Sequence, residues 1–253
     1  MKIAVCVKAA SDAATGRRLD PVTGRLDRTG DQVLSAYDAH ALEEALQIKE
    51  RTGGGEVVVV SMGPATAQDA LRKALAMGAD RSVLISDDAL AGSDLVGTAR
   101  AVAGALEREA ADLILFGQQS VDGDGACLWA AVAERLRLPV ISQVTQLTLG
   151  DGFATGRRQT EFGYETIRAP LPAVIAVSDA INEPRYPSLK GIMGAKSKPQ
   201  EVLTAAEVGG PSTALTKVIA VGPPPMRSES RKIEDDGTAA EAIVAFLIER
   251  RLL

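Results

Sequence analysis

The sequence predicts an α/β fold: a doubly wound, mainly parallel sheet with a small antiparallel excursion and an extended C-terminal arm that ends in a helix. Three observations carry this. Apolar runs without alternation, such as "IAVCV" (3–7) and "VVVV" (57–60), read as strands buried on both faces. They alternate with stretches whose apolar residues recur at helical spacing, the mark of βα units around a parallel sheet. After Pro139 the alternation stops, and short β-rich runs follow one another with "GDG" and "FG" between them.

Residues 3–7 are the first strand. Residues 39–50 place Ala41, Leu42, Ala45, Leu46 and Ile48 on one side of a helix, which "TGGG" (52–55) ends. "EVVVVS" (56–61) is the second strand. A helix over about 66–77 carries Ala67, Ala70, Leu71, Ala74 and Leu75 as its stripe, and Gly78 suits its C-terminus. "RSVLIS" (81–86) is the third strand, and residues 94–109 turn Leu95, Ala99, Val102, Ala103 and Leu106 inward. "DLILFG" (112–117) is the fourth strand, followed by a Gly/Asp loop and a helix over roughly 125–137.

Residues 140–149, 153–159 and 162–169 read as three short antiparallel strands, and "PAVIAVS" (172–178) returns to a buried one. The segment "NEPRYPSLKGIMGAKSK" (182–198) has neither strand alternation nor a sustained helical stripe, and its four basic residues face one acid, Glu183. A Pro/Gly-broken stretch (209–225) leads to a final helix over 238–250. That helix has Ala242, Ile243, Phe246 and Leu247 on one face, an apolar surface needing a partner.

Composition bounds the function. The 253 residues are 46% hydrophobic and 24% charged, ordinary for a chain that buries a core. A net charge of −5 argues against nucleic-acid binding by the molecule as a whole. Two cysteines, Cys6 and Cys127, make no disulfide framework, and the expected compartment is a reducing cytoplasm. The N-terminal apolar run is too short for a signal peptide, and nowhere do 18 apolar residues follow one another, so no membrane-embedded segment is expected.

Ligands of open parallel sheets bind outside the carboxyl ends of the strands. Four segments should meet there: "VKAASD" (7–12), "SMGPAT" (61–66), "SDDALAGSD" (86–94) and "GQQSVDGDGACLW" (117–129). The last is richest: Gly123 and Gly125 free the backbone for close approach, and the N–H groups opening the next helix suit a phosphate. The alternative is a plain strand-to-helix turn, where Asp and Gly are favoured anyway. There is no GxxxxGK[ST], HExxH or CxxC, and no metal site is expected. His40, the single histidine, reads as a surface or capping residue. Asp87, Asp88 and Asp94 suit a helix start, Asp122 reads as a loop-shaping acceptor, and Cys127 has no base partner for a nucleophile.

Several stretches together resemble the β subunit of electron-transfer flavoprotein. They are "AVCVKAASD", "ALEEALQIKE", "VVVVSMGPATAQDALRKALAMGADRSVLI", "DLILFGQQSVDGDGA", "LPVISQVTQLTL" and "LPAVIAVSDAINEPRYPSLKGIMGAKSKP". The resemblance runs through about residues 1–202, with a weaker match beyond; "ALAMGADR" and "NEPRYPSL…IMGAKSK" are its specific parts. It implies an adenine-nucleotide α-hydrolase-like domain over 1–202 that includes the recognition loop 182–198. Residues 203–253 would be an arm packing on a partner α subunit. FAD would be held mainly by that α subunit, with AMP in this chain. The heterodimer would pass electrons from flavin-dependent dehydrogenases to a quinone oxidoreductase or another acceptor, this subunit doing no chemistry.

By position, the resemblance places a nucleotide pocket at Cys6 and Ala9, at Ser35, Ala36, Tyr37 and Asp38, and at Met62. Asp122, Gly123, Asp124, Gly125, Ala126, Cys127, Leu128 and Trp129 would wrap the phosphate. Leu189 would anchor in a dehydrogenase, with Arg185, Lys190, Lys196 and Lys198 steering the encounter. The chain departs from the family where Ser35-Ala36 replaces Asn-Pro, and where Cys127-Leu128-Trp129 stands for the usual Gln-Thr-Gly or Gln-Val-Gly. The tryptophan puts bulk beside the phosphate site. "DGDGA" is closer to the "DGDTA" of electron-bifurcating relatives, in which a second FAD fills this pocket and takes hydride from NADH. A stand-alone nucleotide-binding sensor of the same superfamily is a third reading, but it would need neither the recognition segment nor the detached helix.

Overall fold

The computed structural model describes residues 1–11, 18–28, 30, 32–211, 213–222 and 232–253. Chain contacts divide it into two compact units, Met1–Val218 and Ile219–Leu253.

The first unit is built on β1 (Lys2–Cys6), β4 (Glu56–Met62), β5 (Arg81–Ile85), β6 (Leu113–Gly117) and β10 (Ala173–Val177). Their alternate residues point to opposite faces, and the packing follows that period of two. Ile3, Val5, Val57, Val59, Leu113, Leu115, Ile175 and Val177 meet α1 (Ala36–Arg51) and α2 (Gln68–Met77) on one face. Ala4, Cys6, Val58, Val60, Ile114, Phe116, Val174 and Ala176 meet α3 (Leu95–Glu109) and α4 (Leu128–Leu136) on the other. Every one of these strand residues is buried, so the non-alternating runs are two-sided core.

The remaining strands of this sheet are β7 (Val140–Gly150), β8 (Phe153–Thr160), β9 (Gly163–Pro170) and β11 (Gln200–Leu203). Among the described residues the order is β11-β5-β4-β1-β6-β10-β7-β8-β9. Strands β11 through β7 are mutually parallel, and only the β7–β8 and β8–β9 pairs are antiparallel. The doubly wound, mainly parallel sheet is as the sequence predicts, with one correction: the 140–149 strand pairs parallel with β10 along its first half. Val140, Ile141 and Val144 lie beside β10 before the strand runs on past its neighbour to pair with β8. Chain order runs from β1 outward to β4 and β5, then α3 carries it back across to β6. The strand order therefore reverses between β1 and β6, which opens a crevice at their carboxyl ends.

Three short strands had no sequence signal. Strands β2 (Ala9–Ser11) and β3 (Gln32–Leu34) form an antiparallel pair of three residues each, too short for periodicity to show. β11 is also short, four residues with three of them exposed at the sheet edge. The segment 182–198 also differs from expectation. Residues Leu189–Ala195 form α5, a seven-residue helix whose N-cap, Ser188, accepts the Gly191 amide at 3.0 Å. A glycine-containing helix of two turns carries no readable stripe. It packs on α2 closely enough that a Cβ on Gly191 would collide with the Ala76 carbonyl.

In the second unit, α6 (Ala239–Glu249) matches the expected final helix and buries none of its side chains. Of the Pro/Gly-broken stretch 209–225, positions 212 and 223–225 lie outside the described residues.

Candidate functional site

A cavity of about 800 Å³ opens at the carboxyl edge of the sheet. All four expected strand-end segments contribute to its lining, through Cys6 to Ala9, Met62 to Ala67, and parts of both Ile85 to Ser93 and Phe116 to Trp129. Asp12 of the first segment lies outside the described residues.

One wall is apolar. Met62 ends β4, Phe116 comes from β6, Leu90 from the turn after β5, and Leu128 and Trp129 open α4. Trp129 is half-buried against the core, and its Nε1–H donates to the Gln118 carbonyl at 3.0 Å. That bond pins the indole to the end of β6, so its bulk forms wall rather than obstruction. Position 129 thus accounts for part of the cavity's apolar surface.

The floor holds Asp38. It sits in the first turn of α1, buried, where its Oδ2 accepts the Lys8 amide at 2.8 Å. Burial pushes its carboxyl up to about 7, against the opposing pull of the Lys8 and Gly117 amides. Gly117 must be glycine here: a Cβ would stand 2.6 Å from both Asp38 Oδ1 and the Tyr37 carbonyl carbon. Cys6 lies beside this carboxyl, and burial together with the Asp38 charge holds its thiol well above the usual range.

The other wall is cationic. Lys8 Nζ lies 2.6 Å from Asp122 Oδ1, and Arg28 Nη2 lies 3.0 Å from Asp122 Oδ2. Burial alone would raise the Asp122 carboxyl; the two cations outweigh it and hold it below the usual carboxylate range. Lys8 and Arg28 line the cavity, and Asp122 stands behind them with its side chain 1% exposed. Asp122 is therefore an acceptor, as its loop position suggests, but for two charged side chains.

Of the fifteen expected pocket residues, Cys6, Ala9, Asp38, Met62, Gly125, Cys127, Leu128 and Trp129 line the cavity. Ser35 is fully buried below it as the residue preceding α1, and Ala36 is exposed. Tyr37 reaches it indirectly, its hydroxyl accepting from Gln119 Nε2 at 3.4 Å. Gly123, Asp124 and Ala126 form the exposed part of the fourth loop and do not line the cavity. Steric need does not explain the two glycines: a Cβ on Gly123 or Gly125 would meet only Ser120 Oγ, at 3.7 and 3.9 Å. The left-handed residue of that loop is Asp124, with φ of 49°. Sequence reasoning missed Lys8, Arg25 and Arg28, which act from a loop without periodicity. A basic residue directly after the first strand was the signal available.

The second predicted site is the segment 182–198. Leu189, Ile192 and Met193 are exposed at 75%, 54% and 74%, an apolar cluster on α5. The four basic residues divide into two pairs. Arg185 grips α1: its Nε lies 2.7 Å from Glu43 Oε2 and its Nη1 2.6 Å from Glu50 Oε1. These bonds raise the guanidinium further and hold the Glu43 and Glu50 carboxyls below their ordinary value. Lys198 donates to the Leu75 and Ala79 carbonyls at 2.8 and 2.6 Å, closing the C-terminus of α2. Lys190 and Lys196 are exposed. His40 ties this segment to α1. Its Nδ1 lies 2.9 Å from the Asn182 carbonyl, and Asn182 Nδ2 donates back to the His40 carbonyl at 3.1 Å.

Fold and cavity together define an α/β protein of the doubly wound class, with a cavity at the switch in strand order. Among the described residues no group of His, Cys, Asp and Glu is placed to hold a metal, and no helix is long and apolar enough to cross a membrane. A family model described as an electron transfer flavoprotein domain matches residues 23–208. The chain is 40% identical over 263 residues to the electron transfer flavoprotein subunit beta of Mycobacterium tuberculosis H37Rv, covering 99% of each. It is 36% identical to the subunit beta of Megasphaera elsdenii, over 99% of this chain and 97% of that one. It is also 36% identical to the caffeyl-CoA reductase–Etf complex subunit CarD of Acetobacterium woodii, with the same coverage of 99% and 97%. The chain belongs to the electron-transfer flavoprotein family, as a β subunit.

Proposed function

We propose that this β subunit holds AMP in the cavity, completes the FAD site of an α subunit, and presents α5 to flavin-dependent dehydrogenases. The observation that carries the reading is the cavity itself. Four strand-end loops converge on it, an apolar wall suits a base, and a cationic wall suits a phosphate. The residues present therefore fit an adenine nucleotide. The flavin supplies the electron-carrying chemistry; this chain binds, positions and docks. Met62, Leu128 and Trp129 would cover the base, Asp38 would offer a buried acceptor, and Lys8 and Arg28 would hold the anion.

Docking rests on the exposed Leu189, Ile192 and Met193, with Lys190 and Lys196 supplying charge for the encounter. The onward acceptor, a quinone oxidoreductase or another acceptor of electrons, is part of the same proposal, as is the partner role of the C-terminal arm.

A second FAD in the same cavity is the alternative reading. It draws support from the volume of about 800 Å³, toward the upper end of the roughly 300–1,000 Å³ found for small-molecule sites. The test is the ligand released when the purified heterodimer is denatured, identified by mass and absorbance. One FAD with one AMP supports the first reading, two FAD support the second, and neither AMP nor a second FAD overturns both.

A further inference from the structure

Residues 18–28 form a hairpin across the mouth of the cavity. Leu19 and Leu26 pair as an antiparallel bridge. The Asp20 carboxylate closes the turn by accepting the Val22 and Thr23 amides at 2.7 and 3.1 Å. Apolar burial does not hold it, since Leu19 is 50% and Val22 91% exposed. Its arginines do. Arg25 Nη2 donates to the Gly92 carbonyl at 3.0 Å, in the loop after β5, and Arg28 bonds Asp122 across the cavity rim. The loop passes so close that a Cβ on Gly92, itself at φ +80°, would stand 2.8 Å from Arg25 Nη1.

The consequence is a concentration of charge. Lys8, Arg25 and Arg28 all line the cavity, and Asp122 offsets one of those three charges from behind. Of the other wall carboxylates, Asp38 is raised to about 7 by burial and is only partly ionised at neutral pH. Asp87 is committed to the Ala89 and Ala205 amides, both at 2.9 Å, and Asp88 is the remaining wall carboxylate among the described residues. Asp122 sets one negative charge against the two cations that it bonds, and Arg25, held at the Gly92 carbonyl, adds a third cation to the lining, so these side chains can take a further anion. We infer that Lys8, Arg25 and Arg28 are the phosphate-binding side of the cavity, and that the hairpin 18–28 is the strap that delivers two of them. This rests on the nucleotide reading above and deepens it, assigning phosphate recognition to side chains of the strap rather than to the fourth loop alone.

The test uses the full chain freed of bound nucleotide, titrated calorimetrically with AMP, adenosine and inorganic pyrophosphate. Wild type should bind AMP at least roughly tenfold more tightly than adenosine, and added salt should erode that preference. Arg28→Gln and Lys8→Gln should each lose roughly tenfold for AMP and pyrophosphate and leave adenosine unchanged. Arg28→Lys keeps the charge and should recover part of the loss, which separates anion binding from a folding defect. Equal affinity for AMP and adenosine in wild type, or AMP binding untouched in the variants, overturns the inference while the nucleotide reading stands. Pyrophosphate binding lost in the variants, in a chain that takes neither AMP nor FAD, overturns that reading and supports the inference.

Discussion

Replacing Asp38 by Asn should change how stability depends on pH. The carboxyl titrates at about 7 in the folded chain, against an ordinary value of 3.8, because it is buried and only partly compensated by the Lys8 and Gly117 amides. Each unit is worth about 1.4 kcal/mol, so full ionisation costs the native state roughly 4 kcal/mol relative to an unfolded chain. The sign follows from the direction. With the folded value raised, the native state binds the extra proton, so this contribution is intact below about pH 4 and is lost as pH rises through 7. The amide cannot ionise yet keeps an oxygen for the Lys8 N–H. Between pH 5 and pH 8 the variant should therefore gain roughly 2.5–3 kcal/mol relative to wild type. Urea unfolding of the nucleotide-free chain, at matched ionic strength across that range, reads the difference directly. Other titrating groups cancel in the comparison. Parallel pH–stability curves for the two proteins would refute the argument, because they would mean that Asp38 is solvated or already ionised in the fold.

Other sites give outcomes of their own. Gly117→Ala should destabilise the chain by about 1–3 kcal/mol in thermal or urea unfolding, since its Cβ meets α1 backbone that has no free rotamer to move aside. In the native chain one thiol should react rapidly with a disulfide reagent and two in urea: Cys127 is exposed, whereas Cys6 is buried with its ionisation suppressed. Bound nucleotide should slow the labelling of Cys127, which lines the cavity. Leu189→Ala should slow electron transfer from the dehydrogenase in stopped-flow measurements while shifting stability by less than about 0.5 kcal/mol, because its side chain rests on solvent. Arg185→Ala should instead cost about 1 kcal/mol of stability through lost pairs to Glu43 and Glu50.

The core was legible because two-sided burial writes itself as unbroken apolar runs, and "VVVV" at 57–60 sits wholly inside. The helices were legible in type but not at their ends. The fourth began at Leu128 rather than near 125, since nothing local distinguishes loop from first turn in "GACLW". Pairing direction around 140–149 was not readable, because parallel and antiparallel neighbours on one long strand leave the same residue pattern. In the cavity, the strand-end loops were foreseeable from topology, whereas Arg25 and Arg28 were not. They reach the site from a hairpin with no core-facing periodicity, and their partners Gly92 and Asp122 are far along the chain. The basic residues of 182–198 looked equivalent in sequence. Only three-dimensional neighbours show that Arg185 and Lys198 are spent on α1 and α2.

Those ties set the entropy of docking. Segment 182–198 is bolted at Asn182 through His40, at Arg185 through Glu43 and Glu50, and at Lys198 through the end of α2, with Gly191 flush against Ala76. In the docking role proposed for Leu189, a partner would meet a surface already fixed by these ties, so the ordering loss that a floppy loop imposes on every encounter would have been met during folding. For a carrier that must bind, discharge and leave repeatedly, that permits weak, short-lived complexes whose geometry is nonetheless well defined.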